Sequence, residues 1–209
     1  GDVANYERII NDMDRAIELG FFDDAWAYNI RGLSNNRLEN YEEAIADMTM
    51  AIELAPSYRV AYSNRAFIYG NMGDWFGSMP DRKYVLLELS PDNAVSYNNL
   101  AWGYVQLEQY QEALGFVQLS LDLDPTDSNA IDTRGWAYWG LGEYDLAIED
   151  FEAAIDAGNT YAFYGLGAVY NSLGDTELAI ENLRIYIEEE GEFAEDEAIE
   201  LLESLESGE

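Results

Sequence analysis

Carboxylates are the only chemically capable side chains that this sequence offers in number. It holds 42 Asp and Glu against 10 Lys and Arg, with no Cys and no His. Close pairs such as Asp122/Asp124, Asp124/Asp127 and Glu42/Glu43 are the kind that could divide acid and base roles or hold Ca²⁺. Each falls at the end or on the solvated face of a helical pattern, where Asp and Glu are expected for electrostatic reasons alone. No EF-hand spacing, phosphate loop, nucleophile elbow or zinc signature occurs. Without His, no Ser or Thr has its usual activating base, and without Cys there is no thiolate nucleophile or soft metal ligand. The expectation is a non-enzyme with no cofactor and no metal.

The formal charge of −32 argues against nucleic acid, whose phosphates need clustered Lys and Arg. No apolar run approaches the roughly 20 residues of a membrane span, so no membrane insertion is expected. No leader-peptide pattern is read at the N-terminus. A cytoplasmic and an extracytoplasmic location both stay open. At 48% hydrophobic and 14% aromatic, the chain has enough apolar surface to build a core.

The elements that would position any site come from a repeat. YEEAIADMTMAIELAP (41–56), YQEALGFVQLSLDLDP (110–125), YDLAIEDFEAAIDAG (144–158) and TELAIENLRIYIEEE (176–190) are variants of one phrase. Each follows an aromatic phrase centred on Gly or Ala: YNIRGLSN, YNNLAWGY, IDTRGWAY and FYGLGAVY, with YSNRAFIY making a fifth. Pro56, Pro91 and Pro125 recur at intervals of 35 and 34. The third unit (Tyr97, Leu100, Ala101, Tyr104, Ala113, Ser120, Pro125) and the fifth (Phe163, Leu166, Gly167, Tyr170, Ala179) resemble the tetratricopeptide repeat, a 34-residue helix pair. The resemblance covers about residues 25–190 and implies an all-α fold, a right-handed superhelical solenoid of antiparallel helix pairs.

Apolar spacing agrees, with two helical stripes per unit. First helices are expected at 25–38, 59–72, 94–107, 128–141 and 160–173, and second helices at 41–54, 75–89, 110–123, 144–157 and 176–189. Gly32, Ala66, Ala101, Gly135 and Gly167 allow close approach from the first helix, and Ala44, Ala113, Ala147 and Ala179 from the second. Gly73, Gly142 and Gly174 suit the turn between helices. The expected organisation is a leading half-repeat (1–24; Ile9, Met13, Ala16, Ile17), five repeats (25–58, 59–93, 94–127, 128–159, 160–190) and an acidic closing helix and tail (191–209; Phe193, Ala194, Ile199, Leu202, Leu205). The second repeat has one extra residue and the fourth is two short near Gly158. Pro80, inside an expected helix, marks a kink or bulge.

Two columns within the repeat vary together. Arg31, Arg65 and Arg134 stand beside the small residue of the first helix, and Asp47, Asp81 and Asp150 stand 16 residues later. The other two repeats carry Leu100 with Phe116 and Leu166 with Asn182. Arg and Asp thus occur together or not at all, as partly buried ion pairs require, because an orphaned buried charge is costly. Chance co-occurrence of surface charges is the competing reading.

The five first helices contain Arg31, Arg37, Arg59, Arg65, Arg134 and a single acid, Asp132. In tetratricopeptide arrays first helices line the concave groove, so the resemblance implies a nearly neutral groove inside an acidic exterior. Helical spacing sets Trp26, Asn29, Asn64, Phe67, Asn98, Asn99, Trp102, Asn129, Asp132, Trp136, Trp139, Tyr161 and Tyr164 on the groove stripe. Asn can both donate to and accept from a peptide backbone, and aromatics give contact area at low entropic cost. Packing between repeats is the competing role, and it suits Tyr28, Tyr62, Tyr69, Tyr97, Tyr104, Tyr138 and Tyr170 better. Grooves of this family that clamp a terminal carboxylate use Lys, Arg and Asn. The one Lys here, Lys83, lies on a second helix, so chaperone C-terminal tails are not expected ligands. The acidic exterior has three readings: adaptation to high salt, attraction of a basic partner, or solubility of an elongated array.

The function expected is a non-catalytic scaffold that binds a peptide segment of an unidentified protein partner in the groove. The alternative is a structural, oligomerising or sensor-spacer module of a larger protein, with self-association and an empty groove.

Overall fold

The computed structural model describes residues 2–20, 25–191 and 194–207. Phe193, expected in the closing helix, lies outside the described residues. All regular structure among them is helical. The chain divides into two compact units, Gly1–Asp92 and Asn93–Glu209.

The first unit holds α1 (Asp2–Glu18), α2 (Ala25–Arg37), α3 (Tyr41–Leu54), α4 (Arg59–Asn71) and α5 (Trp75–Tyr84), which runs on into a π-helical turn, Val85–Leu89. Pairs α2/α3 and α4/α5 are antiparallel hairpins. Their core is small-residue contact around fully buried Ala44, Met48, Ala51, Ala61 and Ile68. A Cβ on Gly32 would lie 2.9 Å from Met48 Cε and 3.1 Å from the Ala44 carbonyl, so the α2–α3 approach depends on its absence.

The irregularity expected at Pro80 is displaced. Helix α5 passes through Pro80 unbroken. The extra residue is absorbed downstream, where the Ser90 N–H reaches back five residues to the Val85 carbonyl at 2.8 Å. A π turn takes one more residue per turn than the α-helix, so it accommodates an insertion without unpairing the rest of the ladder.

The second unit holds α6 (Ala94–Gln106), α7 (Tyr110–Leu123), α8 (Ser128–Leu141), α9 (Tyr144–Asp156), α10 (Ala162–Leu173), α11 (Thr176–Glu190) and α12 (Asp196–Ser207). Pairs α6/α7, α8/α9 and α10/α11 stack around Ala113, Ala147, Phe151, Ala162 and Val169. Helix α12 closes the stack through fully buried Ala198, which packs with Leu183 and Tyr186 and is flanked by Leu201, Leu202 and Leu205. Within α12 Ala198 is the buried residue, and the larger Ile199, Leu201, Leu202 and Leu205 are half-buried. The shortened junction at Gly158 is tied by Asn159, whose Nδ2 donates to the Ser128 carbonyl at 3.3 Å and whose Oδ1 accepts from the Tyr161 N–H at 3.1 Å.

Three of the five hairpin turns use glycine in the left-handed region, at Gly73, Gly142 and Gly174. Glu39 and Glu108 take the equivalent slot at φ 61° and 57°, where a side chain is disfavoured. Of the seven tyrosines assigned to packing, Tyr62 is buried and the other six are half-buried.

Candidate protein-interaction surface

The ion-pair columns meet as three bonds of one kind. Arg31 Nε and Nη2 donate to Asp47 at 3.0 and 2.5 Å. Arg65 Nε and Nη2 donate to Asp81 at 2.7 and 2.8 Å. Arg134 Nε and Nη2 donate to Asp150 at 2.8 and 2.7 Å. Each is a two-pronged fork joining the two helices of one hairpin. The aspartates are buried, with side chains 5, 8 and 9% exposed, and the arginines 23, 20 and 27%. Hydrogen bonding to the aspartate raises the pKa of each guanidinium. In the third repeat apolar contact replaces the charges: Leu100 is buried, and Phe116 stacks on Tyr104 with centroids 5.4 Å apart; in the fifth, Leu166 is buried and Asn182 Nδ2 donates to the Leu178 carbonyl at 2.8 Å.

The forks of the first unit extend to the preceding helix, which the sequence columns do not reveal. Arg31 Nη1 donates to Asp14 on α1 at 2.5 Å, and Arg65 Nη1 to Thr49 on α3 at 2.9 Å. Asn35, one turn beyond Arg31, adds a bond to Asp47 at 3.3 Å. In the second unit the corresponding Gln118 donates within its own helix to Asp122 at 2.8 Å. A cleft of about 550 Å³ lies there, lined by Gln118, Leu121, Asp122, Pro125, Ile131, Arg134, Asp150 and Ala153. It is on the second-helix side, away from the expected binding stripe.

The stripe itself differs between the units. In the first, Asn29 is buried and its Oδ1 accepts from Asn64 Nδ2 at 2.8 Å. A parallel bond runs from Asn71 Nδ2 to Asn36 Oδ1 at 3.0 Å. These asparagines join α2 to α4 and are occupied by one another. Trp26 and Phe67 remain open, 47 and 50% exposed.

In the second unit the stripe has a buried layer and a half-open one. Asn98, Asp132 and Trp136 are 8, 5 and 7% exposed, so they do not line an open surface as the spacing implies. Helices α6 and α8 lie side by side and enclose this layer. Yet Asn98 Oδ1, Asp132 Oδ1 and Trp136 Nε1 have no hydrogen-bond partner among the described residues. The reason is visible in the repeat register. Asn64, which satisfies Asn29, is replaced at the equivalent places by Thr133 and Gly165. Thr133 is turned back onto the Asn129 carbonyl at 2.8 Å, and glycine has no side chain to offer. Burial, then the charge of Asp150, holds the Asp132 carboxyl well above the usual carboxylate range.

The half-open layer is aromatic. Tyr161 meets Trp102, Trp136 and Tyr164 with centroids 6.3, 6.4 and 5.8 Å apart, and Trp136 lies 5.1 Å from Tyr164. Trp139 Nε1 donates to Ser172 Oγ at 3.0 Å, the same register as the Asn71–Asn36 bond. Asn99 and Asn129 are exposed. Burial raises the phenols of Tyr161 and Tyr164, the latter to about 12, and Glu195 adds to both shifts. Glu195 was not foreseen; it is brought in by its backbone N–H, which donates to Tyr186 Oη at 3.1 Å.

Tetratricopeptide-repeat family models match residues 27–58, 96–131 and 133–195. The chain belongs to the tetratricopeptide-repeat family. Among curated proteins it is 34% identical over 105 residues to BBSome complex member bbs-4 of Caenorhabditis elegans, covering 49% of this chain and 21% of that protein. The chain thus spans about a fifth of that relative's length. Among solved structures, a tetratricopeptide repeat protein from Parabacteroides merdae superposes with a TM-score of 0.82 at 16% identity, over 97% of this chain and 78% of that one. YrrB, described as a TPR protein with an unusual peptide-binding site, gives 0.57 at 25% identity over 84% and 91%. The fold is the all-α solenoid of tetratricopeptide helix pairs that these structures share. Among the described residues, no helix is long and apolar enough to cross a membrane.

Proposed function

We propose that this tetratricopeptide-repeat chain is a non-catalytic interaction scaffold that binds an extended peptide segment of a partner protein along the first helices of its second unit, α6, α8 and α10. The single observation that carries this reading is the set of unpartnered polar atoms, Asn98 Oδ1, Asp132 Oδ1 and Trp136 Nε1. Buried polar groups are nearly always satisfied, and each one left bare costs about 1–3 kcal/mol. A peptide segment supplies both donors and acceptors, from its backbone and its side chains, so it can complete two acceptors and a donor together. The half-open rings of Trp102, Tyr161 and Tyr164 beside them supply apolar contact area. The description of YrrB as peptide-binding is consistent with this use of the fold.

A peptide-library selection against the chain, with a Trp102→Ala/Asn99→Ala variant in parallel, tests the reading. The expected result is an enriched motif that binds the wild-type chain and weakens tenfold or more with the variant, about 1.4 kcal/mol. No enrichment, or equal binding to both, contradicts it and turns attention to a structural or self-associating role.

A further inference from the structure

The second unit is far more acidic than its stripe alone suggests. Between Asn93 and Glu209 the sequence has 26 acidic residues and two basic ones, Arg134 and Arg184. Both of those are engaged, Arg134 with Asp150 and Arg184 with Glu206. The aromatic cluster of Trp102, Trp136, Tyr161 and Tyr164 therefore lies near the buried carboxyl of Asp132 and the acids Glu195 and Glu197, with both basic residues of the unit already paired.

Acidity by itself selects nothing, because most of these carboxylates are solvated. The buried layer is different. Asp132 and Trp136 stand one turn apart on α8, and Asn98 and Trp102 stand one turn apart on α6, so each helix presents a buried polar group followed by an indole on the same face. The two unpartnered oxygens, Asn98 Oδ1 and Asp132 Oδ1, are both acceptors. Two bare acceptors, one of them a carboxyl oxygen, beside a cluster of aromatic rings suit a donor that is positively charged. A π face attracts a cation, and more strongly once water is excluded.

We propose that this cluster takes a lysine or arginine side chain of the bound segment, its N–H groups set against Asn98 Oδ1 and Asp132 Oδ1 and its charge against the rings of Trp102, Trp136, Tyr161 and Tyr164. The inference rests on the peptide-binding reading above and gives that site its specificity. Trp102, Tyr161 and Tyr164, on the same stripe as the acceptors, are only half-buried, and the segment enters on their open side. The Trp136 indole N–H is then free to donate to a carbonyl of the segment. Burial and the Asp150 charge raise the pKa of the Asp132 carboxyl, and a cation set against it opposes that shift and favours the charged, pairing form. Long-range attraction by the unit's net negative charge speeds the encounter and makes it salt-dependent.

The test uses the peptides selected from a ten-residue random library on the whole chain. The expected motif has Lys or Arg at one fixed position. Replacing that residue by norleucine or citrulline, which keep length and remove charge, lowers affinity tenfold or more by isothermal titration. Asp132→Asn, which preserves shape, removes the preference, so that charged and neutral peptides bind it within about threefold of each other; circular dichroism checks that it folds. An enriched motif without a basic position, or a basic position indifferent to Asp132→Asn, overturns the inference and leaves the peptide-binding reading standing. No enrichment overturns both. A mass that rises with concentration and is restored to the monomer by Trp102→Ala puts a second copy of the chain on this face, and also overturns it.

Discussion

The two units carry the same helix hairpin and differ in how they treat their first helices. In the first unit, Asn64 and Asn71 donate to Asn29 and Asn36, and the polar groups between neighbouring helices satisfy each other. In the second, the donor places are held by Thr133 and Gly165, the acceptors stay bare, and the surrounding side chains become Trp and Tyr. The forks show the same divergence. Arg31 and Arg65 reach the preceding helix, whereas beside Arg134 a cleft opens. One unit spends its polar side chains on cohesion. The other leaves three of them bare among the described residues, and it carries most of the chain's negative charge.

The largest expected effect tests what the forks do in both units. Asp150→Ala leaves Arg134 unpaired in a mostly buried place and lowers stability by about 2–3 kcal/mol in denaturant melts. The double change Arg134→Leu/Asp150→Phe copies the apolar pairing of the third repeat, Leu100 with Phe116, and should recover to within about 1 kcal/mol of wild type. Failure to recover would mean that the charge itself, not mere complementarity, is required.

Next comes the asparagine contrast. Asn64→Leu strands the buried Asn29 Oδ1 and costs about 1–2 kcal/mol. Asn98→Leu removes an oxygen that is already unpaired, so it should be near neutral or stabilising by about 0.5 kcal/mol. Equal losses in the same melts would erase the proposed difference between the units.

Asp132→Asn sharpens the comparison through pH. The folded chain holds this carboxyl well above its unfolded value near 3.9, through burial and the Asp150 charge on α9. Between those two values the folded state binds the extra proton, so stability falls as pH rises. The Asn variant escapes that loss. It should exceed wild type by about 1 kcal/mol at pH 7 and match it below about pH 4. A gain in stability joined to a loss of basic-peptide binding is the pattern expected of a binding residue.

The smallest effect falls on the turns. Glu39→Gly and Glu108→Gly relieve a left-handed backbone and should each stabilise by about 0.5–1 kcal/mol in the same melts, as Gly73, Gly142 and Gly174 do in their hairpins.

Much of the helical architecture was legible because its cause is periodic. Gly32, Ala44, Ala113 and Gly135 mark close helix contacts at repeat spacing, and the matched appearance of Arg and Asp reports a contact across a hairpin. Other features depend on a one-residue shift in register, which spacing within a single helix does not carry. Asn29 and Asn98 hold the same place in the repeat, yet one is paired and one is bare because of what the next first helix offers. The π turn at Val85–Leu89 escaped for a related reason: Pro80 is the conspicuous residue, but the ladder yields where an extra residue is least constrained. Glu195 had no local signal, since its place follows from how α12 docks through Ala198.

The most direct measurement is two-dimensional NMR of the indole N–H signals, with the five tryptophans assigned by substitution, while a library-selected peptide is titrated into the chain. The account predicts large shifts at Trp102 and Trp136, a smaller one at Trp139, and none at Trp26 or Trp75. Shifts confined to Trp26, or saturable binding that leaves Trp102 and Trp136 unmoved, would contradict the assignment of recognition to the second unit.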